Sequence, residues 1–351
     1  MASRTSPTIT TIAQAAGVSI ASVSRVLNGL PVRAETERRV LDAADRLGYV
    51  PNSVARSLKS ARTHQIAFAV EDIGNPVYLA MLREIQPLLK AAGYRLVLHS
   101  TGADAAEEIE VLRGLGQRYA DGLIIVPIRV TPDHLAELRA AEAPVVVIGS
   151  LPDSGLADNV RTDSRRGVEM ALRHLADLGR RRIGFINGPA DTVPGHARSE
   201  AFRSGTARAG LAVADGTVHE GRFDRETGAE AVHRMADAPA PMPDALLCAN
   251  DLIALGALDA LRARGLDVPG DVAVVGMDDT DLAAVSWPPL TSVSLGSAER
   301  GAHAARLLLD RLGADTGAAP SAPRAVTVEP RLIVRASTGG ARVVDDGSAA
   351  G

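Results

Sequence analysis

Twenty residues near the N-terminus, TTIAQAAGVSIASVSRVLNG from Thr10 to Gly29, combine serines and an arginine with no acid. The first acidic residue of the chain is Glu35. An ordinary surface helix pair mixes both signs of charge, so this stretch is arranged to meet something negative. A second polar set lies in the body, in the loops and helix starts that follow short apolar runs: Asp72, Asn75, Tyr78, Ser100, Pro127, Gly149, Asp163, Arg198, Phe223, Asn250, Asp251 and Asp278. Brought together, carboxylates, amides and an arginine bracket vicinal hydroxyls with paired hydrogen bonds, while an aromatic ring packs on an apolar sugar face.

The first set needs short helices to hold it. Ile9, Ile12, Ala13 and Ala16 recur at helical spacing, with Thr8 or Thr10 as the cap. Gly17 ends that helix, because glycine readily takes the left-handed backbone of a helix terminus. Ser19 caps a second run in which Val23, Val26 and Leu27 form one apolar stripe, leaving Ile20, Ala21, Ser22 and Arg25 pointing outward. A third amphipathic helix is expected over Ala34 to Leu47, with Val40, Leu41, Ala44 and Leu47 inward. Two short helices joined by a glycine-containing turn make a helix-turn-helix, whose second helix enters a major groove. A small three-helix bundle without nucleic acid is the plainer alternative.

Charge separates this head from the rest. Residues 1–63 hold nine Lys or Arg against four acids, leaving 29 basic and 38 acidic residues in the remainder, for an overall net charge of −4. A basic head on an acidic body fits a polyanion-binding module joined to a different domain. At 351 residues and 46 % hydrophobic content, two or three cores are expected. No apolar run approaches the roughly 18–20 residues that span a bilayer, and MASRTSPTIT lacks the apolar centre of a signal peptide. With one cysteine, Cys248, disulfides cannot structure the fold, and a reducing cytoplasm is expected.

The second set needs parallel sheets. QIAFAV, YRLVLH, DGLIIV, PVVVIG, RRIGFIN, DALLCAN and DVAVVGM alternate with Ala/Leu-rich helical stretches. Near-continuous apolar strands separated by helices indicate parallel sheets covered on both faces. Two such units fit the length, divided near Val160. Ligands of open α/β sheets bind beyond the carboxyl ends of the strands, and a cleft between two units combines two such edges.

The segments TIAQAAGVSIASVSRVLNG and ETERRVLDAADRLGYVPNSVARSL resemble the N-terminal signature of the lactose repressor (LacI/GalR) family, and family-like segments recur to VEPRLIVRAS near residue 337. The resemblance implies an all-α helix-turn-helix head with a hinge helix, followed by an α/β core of two parallel-sheet subdomains like those of periplasmic sugar-binding proteins. It places Ile20 and Ala21 at variable base-reading positions, Ser22, Ser24 and Arg25 at contact positions, and Asn28 and Tyr49 near the phosphate backbone; Tyr49 serves equally well as a lid on the core. Arg25 is the residue expected to read a guanine, since its planar fork matches the O6 and N7 acceptors. Thr10 and Ser19 complete the DNA-facing set of the head. Where the family has a Ser or Thr cap before the third helix, this chain has Arg33, and a lost cap costs about 0.5–2 kcal/mol.

In PNSVARSLKSART, Asn52 is expected to cap a hinge helix whose apolar side is Val54, Ala55 and Leu58, flanked by Arg56 and Lys59. Isolated helices this short are marginal in water, so it orders only when two copies pair on DNA. By resemblance Leu58 is a minor-groove wedge; a plain linker is the alternative. The expected organisation is a head over 1–51, a hinge over 52–64, a first core subdomain of 65–160 plus 291–322, a second of 161–290 plus 323–338, and a disordered tail over 339–351. Among the strand-end residues the resemblance singles out Arg198, Phe223, Asn250 and Asp278 as effector contacts, whereas Asp278 and Asp279 could instead cap a helix and Asn250 brace a turn. Gly149 stands where several sugar-binding relatives place a carboxylate.

No G-x-S-x-G, H-E-x-x-H or P-loop motif is present, and the eight histidines are scattered without metal-ligand spacing. The expectation is therefore no catalysis, cofactor or metal, and no membrane partner. The partners expected are double-stranded operator DNA, a small-molecule effector of sugar type and a second copy of the chain. A cytoplasmic, nucleoid-associated transcriptional regulator, acting as a dimeric repressor on a pseudopalindromic operator, is the reading that joins these features. A cytoplasmic sensor that has lost specific DNA binding is the alternative.

Overall fold

A computed structural model describes residues 7–27, 30–49, 62–153, 155–314 and 322–339. The chain divides into two compact units, Met1–Thr63 and His64–Gly351. Asn28, Asn52, Val54, Ala55, Arg56, Leu58 and Lys59, and with them the hinge expectation and the tail beyond Gly339, lie outside the described residues.

The head holds α1 (Ile9–Ala16), α2 (Ile20–Leu27) and α3 (Ala34–Leu47). Of the two candidate threonines Thr8 is the cap: its hydroxyl accepts from the Thr11 backbone, and Thr11 returns the bond, while Thr10 lies exposed within α1. Gly17 ends α1 at φ 62°, and the Ser19 hydroxyl accepts the Ser22 amide at 3.1 Å to start α2. Arg33 occupies the N-cap of α3 with no side-chain bond, as the missing Ser or Thr implies, and Glu35 and Glu37 in the first turn offset the helix dipole. Ile12, Ala13, Ala16, Val23, Val26, Val40 and Ala43 form the core, with Tyr49 packed against it.

Two residues expected inside this core are not. Leu41 is 50 % exposed and Leu47 39 %. One residue advances about 100° around a helix, so with Val40 and Ala43 on the buried line Leu41 falls on its flank. Leu47 shares the Val40 face but sits in the last turn, just before Gly48 terminates α3.

The second unit contains two six-stranded sheets. The first is built from β1 (Gln65–Val70), β2 (Arg95–Ser100), β3 (Gly122–Ile125), β4 (Val145–Ile148), β5 (Asp158–Thr162) and β11 (Ala325–Val328), in the order β11-β5-β4-β3-β1-β2, all parallel. The second comprises β6 (Ile183–Asn187), β7 (Val218–Glu220), β8 (Ala245–Cys248), β9 (Ala273–Met277), β10 (Thr291–Ser294) and β12 (Arg331–Ile333), ordered β12-β10-β9-β8-β6-β7 and parallel except for β12. Alternate residues feed opposite faces: Ile66, Phe68 and Val70 enter one core cluster, Ala67 and Ala69 another. Helices cover both faces: α4 (Pro76–Ala91), α5 (Ala105–Gly114), α6 (Pro132–Ala140) and α12 (Ser297–Gly313) on the first sheet, and α7 (Ser164–Asp177), α8 (Val193–Ala209), α9 (Arg225–Asp237) and α10 (Asp251–Ala263) on the second, with the short α11 (Asp281–Val285) after β9. Among the described residues no helix is long and apolar enough to cross a membrane.

The chain passes between the sheets after Thr162, after Leu295 and after Val328, which moves three expected boundaries. The first sheet extends through β5 to Thr162, past 160. The stretch from 291 begins with β10, which pairs with β9 in the second sheet, and the stretch from 323 begins with β11, which pairs with β5 in the first. Apolar content marks a strand but not its partner, and both misplaced strands sit at crossings.

Helices α9 and α10 approach through reciprocal glycines. A Cβ on Gly228 would overlap the Ile253 carbonyl, and one on Gly256 the Arg225 carbonyl. Neither backbone can yield, so Gly256→Ala should destabilise the core by about 3 kcal/mol, the upper end of overpacking costs. Urea denaturation of both proteins measures this, and unchanged stability would show that the helices separate freely.

Candidate functional site

On the head, Ile20 is 47 % exposed, Ala21 and Arg25 are exposed, and Ser22 and Ser24 are half-buried. The Arg25 Nη2 donates to the Pro31 carbonyl at 3.0 Å, so the loop after α2 orients its guanidinium. Ser19 and Ser22 hydroxyls lie 3.0 Å apart. Tyr49 is half-buried against the head core, the lid position.

In the second unit a cavity of about 140 Å³ opens where the carboxyl ends of the two sheets face each other. From the first sheet come Glu71 after β1, Asn75 and Tyr78 at the start of α4, Pro127 after β3, Gly149 and Ser150 after β4, and Thr162 closing β5. From the second come Arg198 in α8, Phe223 after β7, Asn250 after β8 and Asp278 after β9. An adjoining hollow shares Glu71, Asn75 and Phe223, and takes in Asp72 and Ser100.

Nine of the ten effector-contact residues expected from sequence therefore line these two spaces: Asp72, Asn75, Tyr78, Ser100, Pro127, Arg198, Phe223, Asn250 and Asp278. Asp163 does not. It is exposed, and its carboxylate caps α7 by accepting the Arg166 amide at 3.1 Å, while its neighbours Thr162 and Ser164 line the cavity. Strand-end position alone does not say which of three consecutive side chains turns inward.

Local bonds explain how each group is held. Asn75 caps α4 through Val77 at 3.1 Å. Asn250 caps α10 through Ile253 at 2.8 Å and donates Nδ2 to the Phe223 carbonyl at 3.2 Å, so it braces the loop that carries the ring. Gly188 leaves room for that ring, which a Cβ would strike. The Arg198 guanidinium lies 5.9 Å from the Phe223 centroid and donates Nη1 to the Ala249 carbonyl at 2.6 Å. Asp278 and Asp279 cap no helix: Thr280 is the N-cap of α11, and Asp279 pairs with Arg335 at 2.6 Å. Asp278 has φ 109°, a left-handed backbone rare outside glycine and concentrated at functional sites.

The buried charges perturb one another. Burial raises the Asp278 carboxyl to about 6 against the pull of Arg198 and Arg300. Burial raises Asp251 to about 7, with Asp278 adding to the shift, although Asp251 accepts bonds from Thr280 N, Thr280 Oγ1 and Ser292 Oγ. Glu71 is also raised, first by burial and then by Asp72. Arg300 and Glu71 are lining residues absent from the sequence-derived set. Arg300 follows the second crossing inside α12, not at a strand end. Its one signal was a charge standing four residues before Ala304 on the buried face of an amphipathic helix.

The folded core holds a proton at Asp278 that the unfolded chain releases near 4. Ionising it therefore costs stability as pH rises from about 4 through 6. The melting temperature of Asp278→Asn minus that of the wild type should rise across this window and level off above it. A difference that stays constant from pH 4 to 7 would mean that Asp278 does not titrate there.

Known proteins share both units. Residues 8–52 match the description "Bacterial regulatory proteins, lacI family", and residues 172–338 match a periplasmic binding protein-like domain. The catabolite control protein A of Priestia megaterium is 32 % identical over 88 % of this chain and 93 % of its own length. The ribose operon repressor of Escherichia coli K12 is 34 % identical over 87 % and 93 %. Among solved structures, a lac repressor dimer bound to operator and the anti-inducer ONPF superposes with a TM-score of 0.81 at 25 % identity, over 95 % of this chain and 99 % of that one. A cellobiose complex of the transcriptional regulator CelR gives 0.69 at 33 %, over 94 % and 99 %. Likeness sustained through head and core together makes this chain a member of the LacI family, a transcriptional regulator with a helix-turn-helix head and an effector-binding core.

Proposed function

We propose that the protein represses transcription as a two-fold dimer on a pseudopalindromic operator, under control of a small polyhydroxylated effector in the cleft. The observation that carries this is the joining of two sites in one chain. One is a head whose second helix offers Ile20, Ala21 and Arg25 outward with no acid on α1 or α2. The other is a cavity whose polar groups come from the carboxyl ends of two separate sheets.

A ligand bonded to both sheets resists any change in the angle between them. That angle is already bridged at the cavity mouth, where Arg129 after β3 meets Asp191 before α8 at 2.8 and 3.0 Å, and the Val193 amide donates to the Ile128 carbonyl at 2.8 Å. Arg83 on α4 pairs with Asp281 on α11 at 2.6 Å. These ion pairs are partly solvated and individually weak, so a ligand of ordinary affinity can reset the balance. The resulting coupling reaches DNA through the segment that joins the two units. In this reading the protein is a cytoplasmic binding protein and not an enzyme, as befits a chain whose relatives are named as repressors and regulators.

Selection of bound DNA from a random pool at fixed salt tests the operator, since affinity for DNA falls steeply with salt. An inverted repeat is expected; recovery of unselected sequence would favour a sensor without DNA function. On the recovered site Arg25→Ala should weaken binding by about 1–3 kcal/mol and relax the preference at one position in each half-site, with effector affinity unchanged. Fluorescence anisotropy measures it, and an unaltered preference would remove Arg25 from base reading.

A further inference from the structure

We propose that the occupant of the cleft is a polyol whose monosaccharide-sized portion carries an anionic group, a carboxylate or a phosphate, and that Arg300 acts with Arg198 to select that charge. The inference rests on the reading of the cleft as the effector site. Both arginines line the cavity and both are only 7 % exposed. The Nε of each is buried with no hydrogen-bond partner. Arg300 makes a single side-chain hydrogen bond among the described residues, from Nη2 to Ser297 Oγ at 3.1 Å. A guanidinium carries five N–H donors in a fixed fork, so four of the five on Arg300 are without a protein partner among the described residues. Leaving a charge unpaired and desolvated is costly, and a binding site is where that cost is recovered.

Neither arginine is directly paired. Among the described residues no carboxylate forms an ion pair with Arg198 or Arg300. Asp278 is the carboxylate that feels both. Glu71, on the same lining, accepts from Tyr78 Oη at 3.5 Å. Position 149, at the end of β4, adds no charge of its own. Glu71 and Asp278 match the two guanidinium groups in number, yet neither carboxylate is in ion-pair contact with Arg198 or Arg300, which leaves both forks open to an acceptor on the ligand.

The remaining chemistry calls for hydroxyls. The Asp278 carboxylate, held without a hydrogen bond of its own among the described residues, accepts hydroxyl donors on the side facing the arginines. The Phe223 ring beneath Arg198 offers an apolar face. The cavity beside the arginines, about 140 Å³, is close to the roughly 150 Å³ that holds a benzene-sized molecule, so the portion of the ligand they grip is one six-membered ring or its open-chain equivalent. A bidentate guanidinium grip suits a carboxylate or a phosphate alike.

The test uses the full-length protein and matched ligands, D-glucose against D-gluconate, D-glucuronate and D-glucose 6-phosphate, with the corresponding galactose set. Calorimetry should show an anionic member binding at least tenfold more tightly than its neutral parent, and whether the carboxylates or the phosphate prevail identifies the source of the charge. Arg300→Met should bring that ratio close to one, and Arg300→Lys should restore part of it. Ligand-free Arg300→Met should also melt higher than the wild type by about 2–4 °C, because the unpaired buried charge is gone. A lower melting temperature would make Arg300 a structural anchor and overturn the proposal, whether or not any ligand in the panel binds. Equal or tighter binding of neutral sugars would overturn it too. Operator affinity measured with each bound ligand separates the two readings: a neutral sugar that shifts it leaves the regulator intact and removes only the charge selection, whereas a bound acid that leaves it unchanged removes the coupling instead.

Discussion

The cleft exists because two parallel sheets turn the same edge toward each other. In a parallel sheet every strand ends on one side, so the loops that follow β1, β3, β4 and β5 gather at a single rim, as do those after β6, β7, β8 and β9. The chain crosses between the sheets after Thr162, Leu295 and Val328, which ties the halves together without welding their rims. Each half keeps its own apolar clusters on both sheet faces. The halves are thus rigid by packing and adjustable only about the crossings. Everything assigned to the cavity follows from that arrangement.

The same arrangement places charge where water is scarce. Asp251 and Asp278 lie beyond the strand ends of the second sheet, and α12, returning to the first, brings Arg300 to the cavity that Asp278 lines. Thr280 and Ser292 satisfy Asp251, so that group reads as structural. Asp278, Arg198 and Arg300 are left incompletely bonded and aimed at the cavity. The contrast between a fully satisfied buried acid and a neighbouring unsatisfied triad is what separates scaffold from site here.

Much of this was legible in the residues alone. The head followed from helical spacing, Gly17 and Ser19, and α3 was bounded correctly at Ala34 and Leu47, because local patterns and caps decide short helices. The strand-end rule found ten lining residues, the nine effector-contact candidates and Gly149, because the sheets are parallel. It failed at Asp163 and Asp251, whose carboxylates bond to neighbouring backbone amides instead of lining the cleft, and at Arg300, which only the second crossing brings to the rim. The sheet membership of β10 and β11 was likewise out of reach, since pairing across a crossing leaves no periodic trace. Leu41 and Leu47 show the limit within a helix, where the buried line runs through Val40, Ala43 and Ala44 and leaves larger apolar neighbours exposed.

The central claim is that the placement of the two halves of the core governs DNA binding. Arg129 and Asp191 already meet across the mouth of the cleft, so the double variant Arg129→Cys, Asp191→Cys can be locked through disulfides to a short bis-methanethiosulfonate linker, which replaces the length of the lost side chains, and released by reduction. The native Cys248 does not interfere, being buried in β8 with its thiol pushed up far from reactivity by desolvation. Operator affinity of the crosslinked and reduced forms is the measurement. A change of about tenfold between them, in the range usual for coupled sites, is the predicted result; equal affinities, with the crosslink formed in full, would contradict the account.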